Sequence, residues 1–271
     1  MSSTTRRLGR LFGLLAAASV VVTACGPASA PVLTDPKEIV TAAIRTGQSA
    51  KSVHVDATLD GSIKADLSGT GAPGAAISLT GTTASADVDL TAGNAHATFA
   101  VPALLGLSGE LIQIGGTSYF KTSLTGDKFQ SQKTADSLPV NPGDSKSLVD
   151  GKSLVDSIGE ALSQPGVDPV KGDDVACGST QCYAVKIELT PSEINALGGG
   201  GPLASALPVD LGSASLNLTI RVEKDSNRLA GLAATASMGD QGSITVDLTF
   251  SKWDEAVSIS APPADQVQPA L

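Results

Sequence analysis

Apolar and polar residues alternate one for one through most of this chain. A period of two limits such segments to extended strands that bury one face and wet the other. Val53, Val55, Ala57 and Leu59 alternate with His54, Asp56, Thr58 and Asp60. The pattern returns at Ile77 and Leu79, at Val88 and Leu90, at Ala95, Ala97, Phe99 and Val101, and at Tyr183, Val185, Ile187 and Leu189. Leu216, Leu218, Ile220 and Val222 form a further set, as do Ile244, Val246, Leu248 and Phe250, with a weaker strand over 228–238 between them. Turn residues at Gly93-Asn94, Asp225-Ser226-Asn227 and Gly239-Asp240-Gln241-Gly242 separate these runs, so the strands read as an antiparallel meander and not as parallel crossovers.

Three helical passages interrupt the alternation. Asp35 is a good N-cap, Pro36 fits the first helical position and Glu38 completes a capping box. Ile39, Val40, Ala43 and Ile44 then repeat at helical spacing up to Gly47. Leu154, Val155, Ile158, Ala161 and Leu162 fit one face of a second helix. Thr190, Pro191 and Glu193 start a short third helix that carries Ile194 and Leu197 and stops at Gly198–Gly201, a run that reads as a surface loop or a hinge.

The N-terminus reads as a lipoprotein signal over 1–24. Arg6, Arg7 and Arg10 precede an apolar run from Leu11 to Val22, and Val22-Thr23-Ala24-Cys25 has the small residues of a cleavage site that leaves Cys25 first. The run is too short to span a bilayer, which needs about 20 apolar residues. Acyl chains on Cys25, such as palmitate, would therefore hold the protein at the membrane. Residues 25–35 then form a flexible tether, 36–262 the domain, and 263–271 a disordered C-terminal tail.

Removing residues 1–24 takes three of the 18 basic residues and none of the 27 acidic ones, which moves the net charge from −9 to −12. So acidic a surface repels phosphate backbones and anionic headgroups. Nucleic acid is excluded as a partner, and any membrane contact must come from the anchor or from apolar surface. Aromatic residues make up only 3% of the chain, too few for stacking platforms. Cys177 and Cys182 suit a disulfide across a tight hairpin end, since no further metal ligands lie near them.

The tempting motifs fail on context. Residues 69–74 match G-x-G-x-x-G, but Pro73 and a following strand pattern deny the helix that a nucleotide site needs. Gly151-Lys152-Ser153 resembles the end of a phosphate loop with Lys146 where a glycine is required. Ser145 in Gly143-Asp144-Ser145 would need a histidine base, and the chain has only His54 and His96, each read as a solvated residue on the wet side of a strand. The expectation is no enzyme, no cofactor and no metal.

Two stretches carry a family likeness: Gly115-Gly116-Thr117-Ser118-Tyr119-Phe120-Lys121, and Ser251-Lys252-Trp253-Asp254-Glu255-Ala256-Val257 followed by Pro262. With the order of lipobox, capped helix, long meander, central helix and closing meander, the chain resembles the LppX/LprAFG family of actinobacterial lipoproteins over about residues 36–262. The resemblance implies an α+β fold like that of LolA and LolB. In it a strongly curved antiparallel half-barrel carries helices on its concave face and encloses an apolar cavity for the acyl chains of a lipid or glycolipid. The cysteine pair and the glycine run at 198 depart from the family pattern.

The expected cavity residues are Val53, Val55, Leu59, Val88, Leu90, Phe99, Val101, Leu218, Ile220, Val246 and Leu248 on the strands, with Ile44 and Ile158 from the facing helices. The expected protein is a monomer anchored on the extracytoplasmic face of the cell membrane, which binds a lipid and carries or presents it, with an envelope transporter as a further partner. The competing reading is a non-enzymatic interaction module with a solid core that holds envelope partners through its acidic wet face.

Overall fold

The computed structural model describes residues 32–64, 74, 76–133, 167–196 and 213–269. The signal and Cys25, the helix expected around Ile158, and Gly198–Gly201 lie outside the described residues.

Helix α1 (Pro36–Gln48) starts where its cap is written: the Asp35 carboxylate accepts a hydrogen bond from the Glu38 N–H at 3.0 Å, and Pro36 occupies the first turn. The short helix α2 (Pro191–Ala196) uses the capping box at Thr190. Glu193 Oε2 accepts from the Thr190 N–H at 2.6 Å, and the Glu193 N–H donates to Thr190 Oγ1 at 3.4 Å.

The strands are β1 (Ser52–Lys64), β2 (Ala76–Ser78), β3 (Thr82–Asp89), β4 (Asn94–Val101), β5 (Leu107–Ile114), β6 (Thr117–Thr122) and β7 (Phe129–Lys133). They continue as β8 (Val170–Lys171), β9 (Val175–Cys177), β10 (Thr180–Leu189), β11 (Ser215–Glu223), β12 (Leu229–Ser237), β13 (Gly242–Ser251) and β14 (Val267–Pro269). All belong to one large open sheet, ordered β14-β7-β6-β5-β4-β3-β1-β13-β12-β11-β10-β8, with β2 on β1 and β9 on β10. Two meanders, β1 with β3 to β7 and β10 to β13, join where β1 pairs with β13.

The sheet is mixed and not purely antiparallel, because β14 pairs parallel to β7, with Val267 opposite Phe129. This corrects the disordered tail expected over 263–271: a 3-10 turn at Ala264–Gln266 leads directly into β14. Gln268 and Pro269 gave no apolar period to read; what they find is the unpaired edge of β7.

Period two puts the apolar residues of β1, β3, β4 and β10 to β13 mainly on one side. α1 covers that side over β10, β11 and β12, where Ile39, Val40, Ala43, Tyr183, Val185, Ile220, Val222 and Leu232 form the main buried cluster. Trp253 closes it from the far edge, with its indole N–H donating to the Leu229 carbonyl at 3.0 Å. A small pocket of about 20 Å3 lies between α1 and the sheet, lined by Val40, Ala43, Ile44, Ile220, Leu229 and Trp253 among the described residues, little more than one water's worth of space. A second cluster holds Ile63, Ala214, Met238 and Ile244 at the other end of the strands.

The chain entering α1 is pinned where β10 begins. The Leu33 N–H donates to the buried Tyr183 hydroxyl at 2.9 Å, and Lys171 and Lys224 lie over the Tyr183 ring while both pair with Asp174. The hairpin of β9 and β10 turns at Gly178-Ser179, and Cys177 and Cys182 form a disulfide across it. Because only four residues lie between the two cysteines, replacing both by serine is expected to cost about 2 kcal/mol of loop-closure entropy. Urea unfolding of the two proteins measures the difference.

Candidate functional site

Beyond the reach of α1, the apolar face continues across β1, β3, β4, β5 and β6. The register aligns its side chains in rows: Ala57, Ala84, Phe99 and Gly109 in one, and Val55, Ala86, Ala97, Leu111 and Phe120 in the next. Four alanines and Gly109 make the floor shallow between Val55, Phe99, Leu111 and Phe120. The Phe99 ring packs against Gly109, where any Cβ would collide with it, so the bare glycine makes room for that ring. These residues are half-buried and belong to neither buried cluster. Apolar rows of this kind can meet hydrocarbon but offer nothing to a polar ligand.

The expected cavity residues divide between two environments. Val53, Val55, Val88, Leu90, Phe99 and Val101 lie on or beside this floor, and Leu59 and Val246 border the second cluster at its edge. Leu218, Ile220, Leu248 and Ile44 instead pack into or against the cluster under α1. Ile158 lies outside the described residues. The alanines at 57, 84, 86 and 97 and Gly109, which set the depth of the floor, escape a search for large apolar residues; the register alone brings them together.

The opposite face carries a ribbon of paired charges. Glu110 lies between His96 Nε2 at 2.9 Å and Lys121 Nζ at 3.0 Å, and Lys121 also sits 4.4 Å from the Phe129 ring centre. Arg221 reaches over Gly231, where a Cβ has no room, to pair with Asp247 at 2.8 Å. Burial alone would raise the pKa of Glu110, but the hydrogen bonds from Lys121 and His96 outweigh it and hold the carboxyl below the usual glutamate range. A depressed folded pKa adds stability that is present above the unfolded value and lost as pH falls through the folded one. Glu110→Gln is therefore expected to flatten the acid side of the stability profile and leave its neutral-to-alkaline shape unchanged, as read from urea midpoints taken from neutral pH downward.

His54 is not the solvated residue that its place on a wet strand face predicted. Its side chain is only 15% exposed, with Nδ1 at 2.6 Å from Asp87 Oδ1 and Nε2 at 3.3 Å from Ser85 Oγ and 3.4 Å from Asp56 Oδ2. Ser85, His54 and Asp87 follow the order of a hydrolytic triad, but β3 is paired on both sides, so the N–H groups around Ser85 are committed to the ladders and cannot hold an oxyanion. His96 is also ion-paired, to Glu110.

An open cleft of about 490 Å3 lies beside the disulfide hairpin, lined by Cys177, Gly178, Arg221, Glu223, Arg228 and Lys252 among others. Its mixed charges suit polar solvent and not an acyl chain.

The fold matches that of a solved structure, LprF from Mycobacterium bovis, at 20% identity and a TM-score of 0.53, over 84% of this chain and 96% of that one. The chain has the fold of LprF. The lipoprotein LppX from Mycobacterium tuberculosis aligns over 83% of this chain and 98% of its own at 16% identity, with a TM-score of 0.39. A LolA superfamily protein from Nitrosomonas europaea aligns over 86% and 97% at 9% identity, with a TM-score of 0.25. No family model and no curated protein matches the sequence. The LprF fold agrees with the LppX/LprAFG likeness read from the sequence.

Proposed function

We propose that this chain is a lipid-anchored protein of the cell envelope, held at the extracytoplasmic face of the membrane by acyl chains on Cys25. It binds the acyl chains of a lipid or glycolipid along the apolar floor of β1 and β3 to β6, and carries or presents that lipid without catalysis. The observation that supports this reading is the floor itself: rows of small and aliphatic residues with Phe99 against Gly109, apolar yet only half-buried. A diacyl lipid has about 30 methylenes at about 0.8 kcal/mol each, so a carrier needs a long dry surface and not a few strong contacts. Small side chains supply that surface without filling it. In this reading the half of the sheet under α1, with its buried cluster, is the structural support, and the acyl floor is the other half.

Native mass spectrometry with lipid extraction, on protein secreted from a host with a rich envelope, tests this reading. Stoichiometric diacyl or triacyl lipid is the expected result. A clean apo mass that no added lipid shifts would overturn it in favour of an interaction module acting through the ribbon of charges.

A further inference from the structure

Three of the most exposed large apolar side chains among the described residues are leucines at neighbouring loop tips. Leu104 is 45% exposed and Leu105 97% in the loop 102–106 between β4 and β5, and Leu124 is 72% exposed in the loop 123–128 between β6 and β7. β5 and β6 are paired, and the Ser123 N–H donates to the Ser108 carbonyl at 2.8 Å, so the two tips stand side by side at one end of the sheet.

Both loops are firmly built. The Leu104, Gly106 and Leu107 N–H groups donate to the carbonyls of Val101, Pro102 and Leu104 at 3.1, 3.1 and 2.9 Å, and Thr122 and Thr125 are joined through their hydroxyls. Leu105 adopts the left-handed conformation, with φ 54°, a position that glycine or asparagine fills at lower cost. A leucine there accepts backbone strain and gains no burial within the chain. Its apolar surface is useful only to something outside.

We propose that Leu104, Leu105 and Leu124 form a tip that inserts into the interfacial region of a lipid bilayer. Residues 102–107 carry no charge, and Asp127 and Lys128 balance within the second loop, so the tip is neutral on a chain whose net charge is −9. It is thus a part of the surface that can approach anionic headgroups without repulsion and enter by apolar contact alone. The tip also continues the acyl floor. Val101 pairs with Leu107 at the last rung before the loop, and Phe99 lies one step further in, so apolar surface runs from Leu105 onto the floor. This last link rests on the carrier reading; the tip's contact with lipid does not.

Hydrogen exchange of the whole chain bound to phosphatidylcholine vesicles, against the same chain free, tests the proposal. Exchange in 102–106 and 123–128 is expected to slow on the vesicles. The triple variant L104S/L105N/L124S keeps the fold, because asparagine suits the left-handed turn. It is expected to lose that protection by more than about tenfold for each leucine removed. Unchanged exchange of both loops on vesicle-bound protein overturns the proposal and leaves a protein partner for the tip. Protected loops on a protein that carries no lipid uphold the tip and remove the carrier reading instead.

Discussion

Gly61→Ala and Gly242→Ala are each expected to lower the free energy of unfolding by about 3 kcal/mol or more. Gly61 has φ 111° and Gly242 has φ 113° with ψ −160°, a region of backbone space that side chains other than glycine essentially do not occupy. The two lie diagonally across the β1–β13 ladder, where Gly61 pairs with Ile244 and Ile63 with Gly242. A Cβ on Gly61 would run into the Ser243 carbonyl, and one on Gly242 into the Ser62 carbonyl, so the obstruction on each strand is the backbone of the other. Backbone cannot rotate aside as a side chain would. The control is Gly93→Ala: φ is 67° and nothing lies within 4 Å of the new Cβ, so only the conformational penalty, about 1 kcal/mol, remains. Urea midpoints that moved equally for all three variants would sink the argument that the facing backbone excludes a side chain at these two positions.

Ala84→Trp is expected to take lipid occupancy from near stoichiometric to near zero while changing stability by less than about 1.5 kcal/mol. Ala84 stands between Ala57 and Phe99 in the middle of the proposed floor, and the Phe99 ring is folded onto Gly109 and away from it. An indole there occupies the space an acyl chain would take. The same change at Ile220, which is fully buried under α1, forces a large ring into a closed cluster and is expected to cost about 1 to 3 kcal/mol or more. Lipid extraction and unfolding midpoints on both variants separate the two halves of the sheet. Equal destabilisation at 84 and 220 would mean that the floor is ordinary core.

The sequence shows most clearly those strands with one dry face. β1, β4, β10, β11 and β13 follow their alternation closely, and Asp35 and Thr190 mark their helices because capping chemistry is local. β5 to β7 were hidden because both of their faces are partly apolar. Leu111 and Phe120 lie on the floor side, while Ile112 and Phe129 are buried on the other, beneath Lys121 and beside the charge ribbon, so no clean period survives. His54 misled for a related reason: its wet-face position says nothing about Asp87 and Ser85, which reach it only through the β1–β3 register. The floor was legible in outline from Val55, Val88 and Phe99. Its depth was not, since alanine carries little hydrophobic signal and Gly109 none, and they become a surface only when four strands set them in rows.

The parallel pairing of β14 with β7 also has a vectorial consequence. Residues 267–269 are synthesised long after residues 129–131, yet they cover the edge that those residues form. Until they arrive, β7 presents a row of unpaired backbone groups, the part of an open sheet most apt to recruit a strand from another molecule. Residues 267–269 therefore act as a stopper on that edge, and a variant in which they cannot pair would leave β7 open to a strand from another molecule.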